Sequence, residues 1–362
     1  MTYAAAFSPD YIASRARFTA SALALGCDVD AVAVDGRGPE DEPLSIEVAR
    51  VGERSAPRVL VISSGLHGID GYVGAAVQAR LLEDELGGWS PPPGIALVFV
   101  HALEPAGYAW TRRADAENIV LERNLLLPGQ DFIGCSESFH RLAALLHPST
   151  PRSLDLFRLR AGVALARMGS AALVEVVDGG QHSSPHGLAF AGAGPSAAHR
   201  ALACALPSWL AGARQVLHLD IGTGLGTWGA AELLAARGAD SPRLERLRRL
   251  LGPQVQGWRG SEAELAARGG LGVWCAARFP EVDYDVVTVR FGARGLLELV
   301  AAMRAENRAH QYADITDPVW SASKARLRDA FVPRDPLWRE RVVKRGVDIV
   351  LAALEAVIGG SW

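Results

Sequence analysis

The sequence predicts an α/β protein with a largely parallel sheet that helices cover on both faces. Apolar, strand-like runs recur at residues 44–50, 58–63, 95–101, 215–221 and 284–291. Helical periodicity is found at residues 72–86, 138–147, 152–174, 242–251, 296–311 and 337–358. Because strands that alternate with helices are typical of parallel sheets, we expect the functional site at the carboxyl ends of the strands.

The 362 residues are expected to form one domain, residues 1–362. The proline-rich stretch at 89–94 predicts a rigid surface loop and not a linker, because the strand after it fits the same sheet. An amphipathic helix is predicted near the amino terminus, at about residues 8–26. A second helix, at about residues 337–358, is expected to pack on the domain near its carboxyl end.

Composition argues against several classes of partner. The net charge is -3, and no basic patch with interleaved aromatic residues is present, so we expect neither a nucleic acid nor a membrane as partner. Arg15 and Arg17 interrupt the apolar run near the amino terminus, which predicts no signal peptide or membrane span and a cytoplasmic protein. The chain has four widely spaced cysteines, Cys27, Cys135, Cys204 and Cys275. Without any CxxC pair, they are expected to be buried, reduced thiols.

A strand-to-loop segment at residues 58–71, RVLVISSGLHGIDG, carries a pair of metal-ligand residue types. His67 and Asp70 stand three residues apart where the strand is expected to end. The intervening loop is short and rich in glycine, which lets the backbone turn sharply. An imidazole and a carboxylate in this arrangement can face one cation, so the segment predicts part of a metal site.

Five segments together resemble bacterial proteins of unannotated function in the zinc carboxypeptidase superfamily. They lie at residues 64–71, 101–125, 180–192, 219–229 and 287–307. The resemblance implies a three-layer sandwich built on an eight-stranded mixed sheet, and zinc-dependent hydrolysis of a peptide or amide bond. His67 falls on the first zinc ligand of that family, and Asp70 falls where the family usually has a Glu ligand.

The resemblance also implies substrate contacts from one arginine-rich segment. Arg112 or Arg113 falls on the arginine that polarises the scissile carbonyl. Arg123 falls on the arginine that holds the terminal carboxylate of the substrate, with Glu122 and Asn124 beside it. A guanidinium fork suits a carboxylate or an oxyanion, so these assignments are chemically consistent.

Three positions depart from the family pattern. Gly222 stands where the strand-end motif has its third ligand, a His. Arg290 stands where the late strand has the catalytic Glu, and a guanidinium stays protonated, so it cannot act as the base. Glu122 replaces an Asn. Because these changes exchange charges across the expected pocket, we expect Glu122 to pair with Arg290.

Histidines elsewhere could replace the missing ligand. His182 or His186 is the candidate, because both stand in the loop motif GQHSSPHG; the alternative is that both are ordinary loop residues. His218 shares a strand face with Gly222 but lies about 13 Å away at the usual rise per residue.

Two functions follow from these observations. The first is a metal-dependent hydrolase of altered mechanism with zinc as cofactor, acting on a small peptide-like substrate. The second is a non-catalytic descendant whose arginine-rich pocket binds a carboxylate-bearing ligand or a partner protein. A third interpretation, dinucleotide binding by GLGTWG at 224–229, has weak support because no clear helix follows the motif.

Overall fold

The structure, a computed structural model, describes residues 2–147 and 156–360. Its eight strands are β1 (Asp28–Arg37), β2 (Pro43–Gly52), β3 (Arg58–Ser64), β4 (Ile95–His101), β5 (Gln215–Leu225), β6 (Ala231–Gly238), β7 (Val255–Trp258) and β8 (Asp283–Arg294). All five strand-like runs of the sequence are strands. The predicted α/β class with an eight-stranded, largely parallel mixed sheet is confirmed.

The strands form one sheet in the order β1-β2-β4-β3-β5-β8-β6-β7. The central block of β4, β3, β5 and β8 is parallel. On either side of it, β2 and β6 run antiparallel to the block. The carboxyl ends of β3, β5 and β8 therefore meet at one edge of the sheet, where an open α/β fold places its ligands.

Thirteen α-helices surround the sheet in the described residues. They are α1 (Tyr11–Ala24), α2 (Gly71–Arg80), α3 (Pro105–Ala109), α4 (Leu121–Asn124), α5 (Glu137–Leu146), α6 (Phe157–Asp178), α7 (Ala197–Trp209), α8 (Pro242–Leu251), α9 (Glu262–Arg268), α10 (Leu271–Arg278), α11 (Leu296–Tyr312), α12 (Pro318–Phe331) and α13 (Pro336–Ile358). Side-chain caps define several of their starts. Asp10 accepts from the Ala13 amide at α1, and Asp335 accepts from the Leu337 amide at α13.

Helices pack on both faces of the sheet. A Cβ added to Gly346 of α13 would lie 3.5 Å from Phe291 of β8. A Cβ added to Gly272 of α10 would lie 3.3 Å from Val286 of the same strand. Because successive side chains of a strand point to opposite faces, residues 286 and 291 face opposite ways. Helices α10 and α13 thus form the two outer layers over β8.

The positions of the helices correct two predictions made from the sequence. Of the helix predicted at 152–174, residues 152–155 lie outside the described residues. Residues 157–174 belong to α6, which extends to Asp178 and is kinked at Gly169, where φ is 80° and ψ is 168°. The GLGTWG motif runs from the end of β5 toward β6, and no helix follows it, so the dinucleotide interpretation is wrong. No helix in residues 2–147 or 156–360 combines the length and apolarity that crossing a bilayer requires.

Candidate functional site

A cavity of about 260 Å³ opens at the carboxyl ends of the central strands. Its wall includes His67 after β3, Gly222 near the end of β5 and Arg290 on β8. The wall also holds the apolar side chains of Val177, on α6, and Trp258, on β7. Segments that are remote in the sequence are therefore brought together as the resemblance implies.

His67 and Asp70 interact with each other on the loop that leads from β3 into α2. His67 Nδ1 lies 3.1 Å from Asp70 Oδ2, and the His67 amide donates to Asp70 Oδ1 at 3.2 Å. Asp70 is the N-cap residue of α2, yet its side chain makes no capping hydrogen bond to that helix. The Asp70 side chain is nearly fully buried, and its carboxylate bonds His67 and not the amides of the helix.

The space beside Gly222 is filled by Asp70. A Cβ placed on Gly222 would lie 2.5 Å from Asp70 Oδ2 and 3.2 Å from Asp70 Cγ, closer than ordinary contacts allow. A side chain at position 222 and this conformation of Asp70 therefore exclude each other. The glycine at position 222 and the buried carboxylate of Asp70 are parts of one packing arrangement.

Arg290 lies beside Gly222 in the pairing of β8 with β5. Its Nη2 donates to Glu232 Oε2 at 2.6 Å, from the neighbouring strand β6. Glu122 instead accepts from Arg123 Nη2 at 2.8 Å and from the Leu271 amide at 3.0 Å. The expected pairing of Glu122 with Arg290 is wrong, because each has a closer partner on its own side of the cavity.

Arg113 is the least satisfied cation of the cavity. Its Nε is buried without a hydrogen-bond partner among the described residues. The nearest carboxylate, on Asp178, lies 4.0 Å from its Nη1, and that nitrogen also lies 3.4 Å from Met303 Sδ. Burial lowers the pKa of Arg113, although the charge of Asp178 opposes the change. A guanidinium in this state gains from an added acceptor.

Two further arginines line the same cavity. Arg123 Nη1 lies 3.3 Å from the Gly269 carbonyl oxygen. Arg268 donates to the Asp178 carbonyl at 2.6 Å, and its guanidinium carbon lies 5.1 Å from the centre of the Trp258 ring. Burial, with the nearby charge of Arg123, lowers the pKa of Arg268 to about 10, so the guanidinium remains charged at neutral pH.

Asp220 forms the floor of the cavity behind Gly222. Its Oδ1 accepts from Ser63 Oγ at 2.6 Å, and Ser63 Oγ lies 2.8 Å from His218 Nε2. Burial raises the pKa of Asp220 well above its usual range, and the charge of Asp70 adds to this. His218 is fully buried, lies 3.1 Å from Tyr284 OH through Nδ1, and does not line the cavity.

Four other candidate residues lie away from His67 and Asp70. Arg112 is buried with its Nε 3.0 Å from Glu306 Oε1. Asn124 donates to the carbonyls of Ala191 and Gly194, which fixes the chain before α7. Two histidines complete this set, His182 with its Nδ1 2.6 Å from the Gly192 carbonyl and His186 with its Nδ1 2.9 Å from Gln311 Oε1.

The donor set does not fit zinc. In residues 2–147 and 156–360, no group of three or more His, Cys, Asp and Glu side chains is arranged to hold a metal ion. His67 and Asp70 offer two donors that already bond each other, and Gly222 offers none. Structural and catalytic zinc sites take at least three protein ligands.

Four charged residues of the site were missed by the sequence reasoning. Asp220 could have been found, because it precedes Gly222 by two positions in a strand and so shares its face. Asp178 and Arg268 stand at the ends of α6 and α9, where no local pattern marks them. Glu232 lies on β6, a strand that the apolar pattern did not reveal.

The model of a family described as "Protein of unknown function (DUF2817)" matches residues 7–345 of the chain. The chain belongs to this family, and the predicted membership in a family of unknown function is confirmed. Among curated proteins, none matches the chain.

Solved structures with distant similarity cover most of the chain. A putative metallopeptidase from Shewanella amazonensis SB2B is 13% identical over 90% of this chain and 94% of its own, with a TM-score of 0.43. A metallo-carboxypeptidase from Pseudomonas aeruginosa is 14% identical over 96% and 68%, with a TM-score of 0.40. The carboxypeptidase A from Helicoverpa armigera is 14% identical over 88% and 74%, with a TM-score of 0.43.

Proposed function

We propose that this chain is a divergent zinc carboxypeptidase-like protein that no longer hydrolyses its ligand and binds a small, carboxylate-bearing molecule instead. The observation that carries the proposal is the partly buried guanidinium of Arg113, whose Nε has no hydrogen-bond partner among the described residues, in a cavity whose wall also holds Arg123 and Arg268. Arginine binds carboxylates through two parallel hydrogen bonds, which specifies the ligand by geometry as well as by charge.

Apolar side chains of the same cavity suit the rest of such a ligand. Val174, Val177 and Leu265 line the wall together with the Trp258 ring. Ligand pockets typically combine an apolar lining with a few polar groups that fix orientation. The combination favours a carboxylate attached to an apolar or aromatic body over a small inorganic anion.

The side chains at the positions required for hydrolysis form hydrogen bonds with other side chains. Arg290, at the position of the family's base, donates to the Glu232 carboxylate, which is thereby engaged in an ion pair. His67 and Asp70 bond each other, and the position of the third ligand is occupied by the Asp70 carboxylate. The remaining polar groups can bind and orient a ligand but do not form a general base beside a bound metal.

A matched pair of probes tests the proposal. Calorimetric titration with N-acetylphenylalanine and with its neutral amide should detect binding of the carboxylate alone. Arg113→Gln should weaken that binding about tenfold or more, because a hydrogen bond to a charged group contributes roughly 1.5–3 kcal/mol. Arg54→Gln, at a guanidinium whose side chain is 82% exposed, is the control and should bind as the wild type does.

Two results would overturn the proposal. Equal affinity for the acid and the amide would remove the carboxylate from recognition. One tightly held zinc per chain after purification with added zinc, together with amidase activity that a chelator abolishes, would establish the metal-dependent hydrolase instead.

A further inference from the structure

A second cavity, of about 210 Å³, adjoins the first. Arg123 and Arg268 line both cavities, so the two guanidinium groups form a shared wall. The second cavity also contacts Asp131 and Cys135, in the segment before α5. A partly exposed thiol thus lies in a cavity that has two arginines in its wall.

The thiol of Cys135 has an imidazole partner. Cys135 Sγ lies 3.1 Å from His140 Nε2, and both residues are accessible to solvent. His140 lies in the first turns of α5, whose N-cap is Ser136, the residue that follows Cys135. This contact places an imidazole nitrogen where it can accept the thiol proton of a nucleophilic cysteine.

The other cysteines show how this environment differs. The expectation of four buried thiols is wrong for two of them, since Cys135 is partly exposed and Cys204 is exposed. Cys27 and Cys275 are buried, and burial raises the pKa of the first thiol to about 11 and of the second to about 12. Only Cys135 combines solvent access, an imidazole contact and a cavity wall within the described chain.

We propose that Cys135 and His140 form a thiol-exchange site that takes small, carboxylate-bearing disulfides. The guanidinium groups of Arg123 and Arg268 would hold the carboxylate in the second cavity while the disulfide faces the Cys135 thiol. This site is separate from the binding proposed for the first cavity, although the two share a wall.

The exchange step balances without another reactant. His140 takes the proton of Cys135, and the thiolate attacks one sulfur of the disulfide. A new bond to Cys135 Sγ forms as the original S–S bond breaks, and its electron pair leaves on the departing sulfur, which takes the proton from His140. Cys135 is oxidised to a mixed disulfide, and the departing half of the reagent is reduced to a thiol.

Two chromogenic disulfides of opposite character test the site. Dithiobis(nitrobenzoate) carries carboxylates, whereas dithiodipyridine is neutral. Their stopped-flow rates are compared in Cys204→Ser, which leaves Cys135 accessible, and in Cys135→Ser, which leaves Cys204 as the reference. We expect the ratio of the carboxylate rate to the neutral rate to be about fivefold or more higher at Cys135.

Substitutions in the Cys204→Ser background assign the roles. Arg268→Gln should lower the ratio of the carboxylate rate to the neutral rate, whereas Arg268→Lys, which keeps the charge, should retain most of that ratio. His140→Ala should shift the pH profile of the neutral rate upward, so that it is slower at pH 7 and converges with its parent at alkaline pH.

Equal ratios at Cys135 and Cys204, or an unchanged pH profile in His140→Ala, would overturn the proposal. Thermal melting of each variant shows whether the fold is kept, and Arg123→Gln repeats the charge test if Arg268→Gln does not fold. N-acetylphenylalanine binding in the first cavity is measured separately, so its absence leaves these rates unaffected.

Discussion

At the scale of single residues, Gly222 and Asp70 define the character of the first cavity. The Asp70 carboxylate stands where a side chain on residue 222 would begin, and it bonds the His67 amide and ring from there. A histidine introduced at 222 alone would therefore lie against Asp70 and would fit only if that carboxylate moved.

Gly222→Ala should destabilise the protein by about 1–3 kcal/mol, because the added methyl group overpacks against the Asp70 carboxylate. Gly224→Ala is the matched control on the same strand, since its Cβ would meet Arg290 Cδ at an ordinary 3.5 Å. Urea unfolding of both variants measures the difference. Equal stabilities would show that Asp70 moves aside without cost.

At the scale of secondary-structure elements, strand β6 supplies the ion-pair partner of Arg290. Its Glu232 lies directly opposite Arg290 in the antiparallel pairing with β8 and neutralises it. Both side chains are partly exposed, at 29% for Arg290 and 34% for Glu232, so the ion pair contributes little to stability. Its main effect is on the electrostatic potential in the cavity.

Glu232→Gln should strengthen the binding of N-acetylphenylalanine by about threefold or more, because removing the carboxylate leaves Arg290 free to attract the ligand. The free energy of unfolding should change by about 1 kcal/mol or less. Glu298→Gln removes a carboxylate of α11 from an ion pair with Arg294 of β8 and serves as the control. Unchanged affinity in Glu232→Gln would place Arg290 outside the binding surface.

Strand β6 also shows which parts of the fold and the site could not be predicted from the sequence. Five strands were predictable because they have continuous apolar runs. Of these, β3 and β4 are buried along almost their whole length. Strands β1, β6 and β7 were missed. The edge strands are β1, which is mostly exposed, and β7, and the interior strand β6 is only partly buried. The motifs predicted at which edge of the sheet the cavity lies. The partner of Arg290 could be identified only once the pairing of β6 with β8 was known.

At the scale of the whole molecule, buried titratable groups act on stability in opposite directions. Burial lowers the pKa of His101 and His218 to about 3, so their contribution is present above the unfolded value of 6.5 and is lost as the pH falls toward 3. Burial raises the pKa of Glu47 to about 7, so its contribution is present below 4.5 and is lost as the pH rises through 7.

The two histidines should therefore make the free energy of unfolding rise with pH up to about 6.5, and Glu47 should oppose that rise between about pH 4.5 and 7. Glu47→Gln removes the opposing group and should make the rise in stability between pH 4.5 and 7 steeper, because an amide does not ionise. Urea unfolding across the pH range measures both effects. A variant with the wild-type slope between pH 4.5 and 7 would contradict the assignment.

The order of the strands has a consequence for the rate of folding. Strand β3 pairs with β5, and the bond that joins Ser63 to Asp220 spans 157 positions of the chain. Such non-local pairing must close a long loop before it gains contact energy, which slows folding. The segment with Asp70 can pack against the segment with Gly222 only after this long loop has closed. Ligand binding during refolding should thus lag behind the formation of helices, and its onset would report the moment at which the central sheet is complete.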